Sequence, residues 1–521
     1  MKGISVIQAK NIKAVELHDG CLTLEEFIAV AKYHATLTYH PDFIFTVQKS
    51  RSLIDKFLEE NRAVYGVTTG FGDNVKYAIS REDAITLQNN ILRSHACAVG
   101  TPLSETEVRA IMLMIILNSG KGHSGIKADT LILLRNILNK NLHPFAPGSG
   151  SVGYLSVEAH IALTLIGEGF FFINGEKVPS AFALQQNGLS PVCLGCKEGL
   201  VLITGTTSAA AYALLALYET IVAMKNAEIG GALVYEALHA TSKALDPRLH
   251  RLKKHEMQQA AADNLSALLN GSQICEYYKD TKVQDACALR AMPQIHGAVK
   301  QLILEAYHTI LAEMHSVSDN PVLLEGDDGL GEALMTGNFD GTFLATHCDM
   351  LSIACANLGV LVERLTDRMV NHHMNEGLPS FLVKNPGLNN GLMIPQYTQA
   401  GLAAEIKLLA SPASIDSITT CAGWEDPVSM AYRSCQKAYE AAGKLQYMAA
   451  IEILTALQAV DLREDGLSQS PVLKKIHDFV RLFVPFLNED RYLYADIEKL
   501  HDFIVEMELI KIAEDELNQI L

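Results

Sequence analysis

Gly150-Ser-Val-Gly-Tyr-Leu-Ser-Val-Glu-Ala-His160 is the stretch on which the reading of this chain turns. Just downstream come Leu165-Ile-Gly-Glu-Gly169 and then Phe170-Phe-Phe-Ile-Asn-Gly-Glu-Lys-Val178. The latter reads as a hairpin with Asn174-Gly175 at a type I′ turn, the one clear strand signal in the sequence. Beyond it most segments read as helix. The run 206–224 is apolar enough to raise the question of a membrane span. It holds Glu219, several alanines and two tyrosines and has no flanking basic anchors, so a buried helix is expected. Residues 209–224 are rich in small side chains and nearly apolar all round, as suits a helix enclosed in a bundle. The segments 343–371, 436–462 and 490–521 repeat apolar residues at three- and four-residue spacing over several turns. Helices of about 30 residues span roughly 45 Å, and bundles of such length commonly pair with identical copies. The polar run 326–331 is expected to be a loop.

The 521 residues carry a net charge of −17 and a pI near 5.5. That balance argues against nucleic-acid binding, whose footprint is a basic face. No basic n-region precedes an apolar segment, so no signal peptide and no membrane association are read. Ten scattered cysteines suit reduced thiols in a cytoplasm. Cys193-Leu-Gly-Cys196 lacks the second pair that would complete a zinc site. His347-Cys348-Asp349 and His372-His373 set neighbours on different faces of a helix. No metal is expected.

Motifs spread along the chain belong together. They are Tyr65-Gly-Val-Thr-Thr-Gly-Phe-Gly72, Leu87-Gln88, Leu92-Arg-Ser-His95, the 150–160 stretch, Leu165 to Gly169, Gln284-Asp285, Leu289-Arg290 and Pro293-Gln294. Further on stand Ser318-Asp-Asn-Pro321, Gly337-Asn-Phe339, Pro386-Gly-Leu-Asn389, Pro412-Ala-Ser414 and Glu425-Asp426. In identity and order they resemble the motifs of histidine ammonia-lyase and its aromatic relatives, over nearly the whole chain. The resemblance implies a mainly α fold, with an ammonia-lyase/fumarase-like central bundle of long helices (206–521) behind a small mixed N-terminal active-site lobe (1–205). It also implies a homotetramer whose active sites are shared between subunits.

The resemblance breaks at its centre. The family signature is Gly-Ser-Val-Gly-Ala-Ser-Gly-Asp-Leu-Ala-Pro-Leu-Ala-His, and its Ala-Ser-Gly cyclises into the electrophile methylidene-imidazolone (MIO). Here residues 150–153 match the left half, and Leu155, Ala159 and His160 match the right half once three residues are deleted. Without a gap, the tripeptide falls on Ser151-Val152-Gly153, and valine cannot lose water. A displaced tripeptide at Gly148-Ser149-Gly150 is the remaining register. Around this point Thr204 replaces the asparagine that supports MIO, Cys287 a tyrosine and Asp340 a histidine, while Trp424 and Pro427 flank Glu425-Asp426. The expectation is a lyase without MIO or another cofactor.

A quaternary amine leaves without proton transfer, and Ser94-His95 with Glu425 is the pattern of histidine-type enzymes. The expected reaction is therefore acid/base elimination of trimethylamine from ergothioneine, giving thiolurocanate, on the likeness of the chain to ergothionases. The alternatives are a MIO-type histidine ammonia-lyase, a lyase acting on hercynine, and an inactive scaffold homologue. By resemblance, Tyr65 is the base that removes the β-proton, Arg290 the carboxylate clamp, and Glu425 the group that binds or protonates the ring. Lys384 is a candidate acid towards the ring. Trp424 is a candidate cation–π platform, with a place in the core as the competing reading. His95, Gln284, Asn320 and Phe339 complete the expected substrate contacts.

Overall fold

The computed structural model describes residues 4–80, 82–326 and 331–521; most of the polar run 326–331 lies outside them. Five helices make the bundle: α1 (Thr207–Ala237), α2 (Met292–His315), α3 (Thr342–Val370), α4 (Met393–Leu409) and α5 (Ala431–Asp461). All 31 residues of α1 are buried. The apolar run that could be taken for a membrane span is thus the axis of the bundle, with α5, α3 and α2 packed against it. Two helical stretches, Glu198–Ala237 and Thr342–Val370, are long and apolar enough to cross a membrane, and the first is wholly enclosed by protein.

The helices share two ends. At the near end α1 begins, α2 finishes and α3 and α5 begin, and the Thr206 N–H donates to Ser318 Oγ. A β-carbon on Gly205, whose φ is +108°, would stand 2.7 Å from Ser318 Oγ, so the turn into α1 requires glycine there. At the far end Arg463, just past α5, donates to the carbonyls of Ala237, Asn375 and Glu376. Tyr235 there donates to the Leu289 carbonyl.

The N-terminal part caps the near end. Two of its helices, Leu24–Ala31 and Glu105–Gly120, start in reciprocal capping boxes, Thr23 with Glu26 and Ser104 with Glu107. The hairpin pairs Phe170–Ile173 with Glu176–Pro179, and Asn174 and Gly175 both have the positive φ of a type I′ turn. Three further two-stranded ladders of three or four residues per strand stand apart from it, two in the N-terminal part and one, Val322–Leu324 with Glu332–Leu334, between α2 and α3. They are too short for alternation to announce them in sequence. One large apolar cluster draws on residues from Ile4 to Leu521, and a second, smaller one gathers Ile54, Phe57, Val64, Val67, Ala84 and Leu323 beside the Tyr65 loop. One expected helix divides: 490–521 forms Tyr494–Val505 and Glu508–Leu517, broken at Met507, which takes φ +60°.

Candidate active site

A cavity of about 1370 Å³ opens at the near end, lined by Tyr65, His95, Tyr154, Thr204, Asn320, Phe339, Trp424 and Glu425 among others. Thr204 precedes α1, Asn320 follows α2, Phe339 precedes α3 and Glu425 precedes α5. Each therefore lies close to the end of a bundle helix. The N-terminal part supplies Tyr65, His95 and Tyr154.

Tyr65 is half-buried and its hydroxyl accepts the Gly72 N–H at 2.9 Å. Its loop is tied down by Gln88, whose Nε2 donates to the Gly66 carbonyl (3.1 Å) and whose Oε1 accepts the Gly199 N–H (2.9 Å). Burial pushes the Tyr65 phenol above its ordinary value, only partly opposed by the Gly72 N–H, and Cys421 and Glu425 add to the upward push. His95 ends the helix Ala84–His95 with Nδ1 2.9 Å from Ser94 Oγ; burial holds it below the ordinary histidine range, so it is neutral at pH 7.

Glu425 is carried by a tight reverse loop. Thr420 and Glu425 bridge antiparallel, and Cys421, Ala422 and Gly423 between them all have positive φ. Tyr154 and Thr420 hydroxyls donate to Glu425 Oε2 at 3.2 and 2.9 Å. Trp424 is 58 % exposed, so its place is the rim and not the core. Its indole N–H donates to Asp73 at 3.0 Å, docking this loop on the segment Gly72–Lys76 that follows Tyr65. Asn320 accepts the Thr336 N–H, and Phe339 meets the Tyr154 ring edge-on at 5.3 Å. Thr204 Oγ1 is buried in the wall with no partner among the described residues. Asp340 accepts the Thr342 N–H and so begins α3, a structural use for a position where a histidine was the reference.

Gln284, Arg290 and Lys384 are not brought into this cavity by the same protomer. Arg290 and Asn320 lie at opposite ends of α2, whose 24 residues measure about 36 Å. Lys384 follows α3, whose 29 residues separate it from Phe339 by a similar span. All three side chains are exposed. Arg290 donates to the Cys287 sulfur at 3.4 Å, and Lys384 lies over the Phe486 ring at 5.8 Å. The far-end segments that carry them are joined through Lys282, which pairs with Asp285 and Glu376. Among the described residues, the cavity lining holds no lysine or arginine. Nor do three or more His, Cys, Asp or Glu side chains gather into a metal site.

Residues 144–160 contain no Ala-Ser-Gly, the tripeptide that forms MIO in the family signature. Ring closure requires the nitrogen of the third residue to attack the carbonyl carbon of the first. In the only Ser-Gly register of the segment, Pro147–Ser149 is a strand paired with Val99–Pro102, which holds those atoms apart. The Gly148 carbonyl is also held by donors from Tyr432 and Gln436. In the gapped register Tyr154 stands directly between the matched halves. Tyr154, Thr420 and Cys421 are site residues that sequence reasoning missed. Tyr154 had a signal, being the residue at the edge of the deletion.

The chain belongs to the aromatic amino acid lyases, whose family model matches residues 22–482. It is a carbon–nitrogen lyase by that membership. It is 41 % identical over 506 residues to a histidine ammonia-lyase of Symbiobacterium thermophilum, covering 96 % of this chain and 99 % of that protein. The solved histidine ammonia-lyase of Trypanosoma cruzi superposes with a TM-score of 0.89 at 33 % identity, covering 96 % of this chain and 95 % of that one. The Treponema denticola ergothionase, solved with desmethyl-ergothioneine sulfonic acid, superposes with a TM-score of 0.86 at 27 % identity, covering 95 % and 99 %. The expected mainly α lyase fold is therefore found. The expected elimination of trimethylamine from ergothioneine is overturned: near-full-length identity is much higher to a histidine ammonia-lyase than to the ergothionase. Of the alternatives, these relatives favour the MIO-type histidine ammonia-lyase.

Proposed function

We propose that the protein is a histidine-type ammonia-lyase, removing the β-proton and expelling the α-amine of L-histidine or a close imidazolyl analogue. The observation that carries this is the joining of Tyr65, His95 and Glu425 in one cavity of a chain 41 % identical to a histidine ammonia-lyase. Tyr65 is the base. Burial keeps its phenol protonated, so a cation has to reach it before it can act. The α-ammonium of the substrate is one such cation. With it beside Tyr65 the phenol proton passes to water and the phenolate takes the β-proton. The C–H electrons form the new C=C bond, and the C–N electrons leave with ammonia. Neutral His95 offers an imidazole ring one donor or one acceptor nitrogen and the Glu425 carboxylate offers it an acceptor, and Asn320 and Phe339 bound the substrate on the α2 and α3 side. This reading uses no MIO.

The α-carboxylate needs a cation that the cavity lacks. Arg290 supplies it if copies of the chain assemble with the far end of one bundle at the near end of another, and Gln284 and Lys384 arrive by the same route. Val283 and Leu388, both almost entirely exposed at that far end, favour its being covered. The homotetramer with shared active sites that the sequence resemblance implies supports this arrangement.

The purified protein is tested with L-histidine, L-phenylalanine and an N-trimethylated histidine, following amine release and the ultraviolet absorbance of the conjugated product. Ammonia from L-histidine is expected. Inert L-histidine with amine release from the trimethylated analogue would overturn the reading. An intact mass short of two water molecules would overturn the exclusion of MIO while leaving the substrate untouched.

A further inference from the structure

Tyr154 is pinned on both sides. Gly153 before it passes 3.3 Å (from a notional β-carbon) from Ser429 Oγ, and Leu155 after it takes φ +78°, a costly value for leucine, while donating its N–H to the Ile203 carbonyl. The ring is braced edge-on against Phe339 and the hydroxyl donates to Glu425 Oε2. Thr420 Oγ1 donates to the same oxygen. Glu425 Oε1 accepts no hydrogen bond from the described residues. With Oε2 held twice, the carboxylate keeps one free acceptor, and an imidazole ring N–H can donate to it where a benzene ring cannot.

We propose that Tyr154 is the positioning residue that sets ring specificity, orienting Glu425 so that Oε1 receives the N–H of a nitrogen heterocycle. The proposal rests on the histidine-type reading of the site and names a residue for its selectivity. Tyr154 thus occupies the point where the family signature is interrupted, and serves there as a hydrogen-bond donor inside the wall.

The probes are imidazole-4-acetate and phenylacetate, which share a carboxylate and differ in the ring, bound to the intact protein and measured by calorimetry. Tyr154→Phe keeps the ring contact with Phe339 and removes only the donor. It should weaken imidazole-4-acetate about tenfold and leave phenylacetate unchanged. On a Glu425→Gln background it should weaken imidazole-4-acetate no further, because the two residues act as a unit. Thr420→Val, which removes the other donor to Oε2, should likewise weaken imidazole-4-acetate and leave phenylacetate unchanged. Equal losses for both probes, an additive double variant, or a wild-type protein with no preference for the imidazole probe would each overturn the proposal. Turnover of L-histidine is scored separately. If histidine is inert while the imidazole probe shows the Tyr154–Glu425 coupling, the substrate reading falls and the positioning role stands.

Discussion

Tyr65 carries its hydroxyl against the Gly72 N–H, in a cavity whose other titratable lining residues are Tyr77, His95, Cys97, Tyr154, Cys421 and Glu425. A phenol so placed can accept a proton only after its own has been displaced, which ties its basicity to the arrival of a cationic substrate. Tyr65→Phe retains the ring and its edge contact with Phe71. It should lower kcat by about two to four orders of magnitude while leaving the affinity for imidazole-4-acetate within about twofold. Retained turnover in that variant would assign the base elsewhere. Single residues were also where the sequence was most and least readable. Tyr65, His95, Asn320, Phe339 and Glu425 stand inside motifs with strong local character, and the structure gathers all five. Trp424 was read with the core as the competing place, yet it stands at the rim, because its indole N–H finds Asp73 on a loop far away in sequence. Thr420 and Tyr154 act through contacts with Glu425 that no local pattern records.

At the scale of elements, α2 couples helix burial to pH. Burial pushes the His296 imidazole down to about 3, and Lys300 one turn on adds to the push. The unfolded chain takes up a proton near pH 6.5 that the native helix refuses. Stability is therefore complete above that pH and is lost as the pH falls from 6.5 towards 3. By pH 5 the loss from this one side chain is about 2 kcal/mol. His296→Leu should remove that component, so that its urea midpoint changes less between pH 7 and pH 5 than the wild-type midpoint does. An identical pH response in both proteins would show that His296 is not excluded from protonation. Helices were legible because burial leaves a periodic apolar trace: 343–371 and 436–462 fall within one to five residues of α3 and α5. The division of 490–521 was hidden, since Met507 adopts a left-handed backbone that its residue type does not advertise.

For the whole molecule, Tyr65 and Arg290 are separated by the length of α2, and on the proposed assembly a lone protomer is an incomplete catalyst. Tyr65→Phe and Arg290→Ala should each be nearly inactive alone. Unfolded together and reassembled, they should recover roughly a quarter of the wild-type activity, because hybrid assemblies form some sites with both residues intact. Failure to recover would place the carboxylate-binding cation within the same chain. The bundle and its resemblance to aromatic amino acid lyases were readable from motif order over the full length. The missing MIO tripeptide invited a substrate assignment that full-length identity to a histidine ammonia-lyase then reversed. A gap of three residues changes the centre of a site, whereas the walls record its ancestry over hundreds of positions.

The chain contains one tryptophan, and it sits at the mouth of the cavity between the loop that bears Glu425 and the loop that bears Tyr65. Its intrinsic fluorescence is thus uncontaminated by any other indole and comes from the threshold a ligand must cross. The protein carries its own optical gauge of occupancy, which stopped-flow mixing can read in real time without a label.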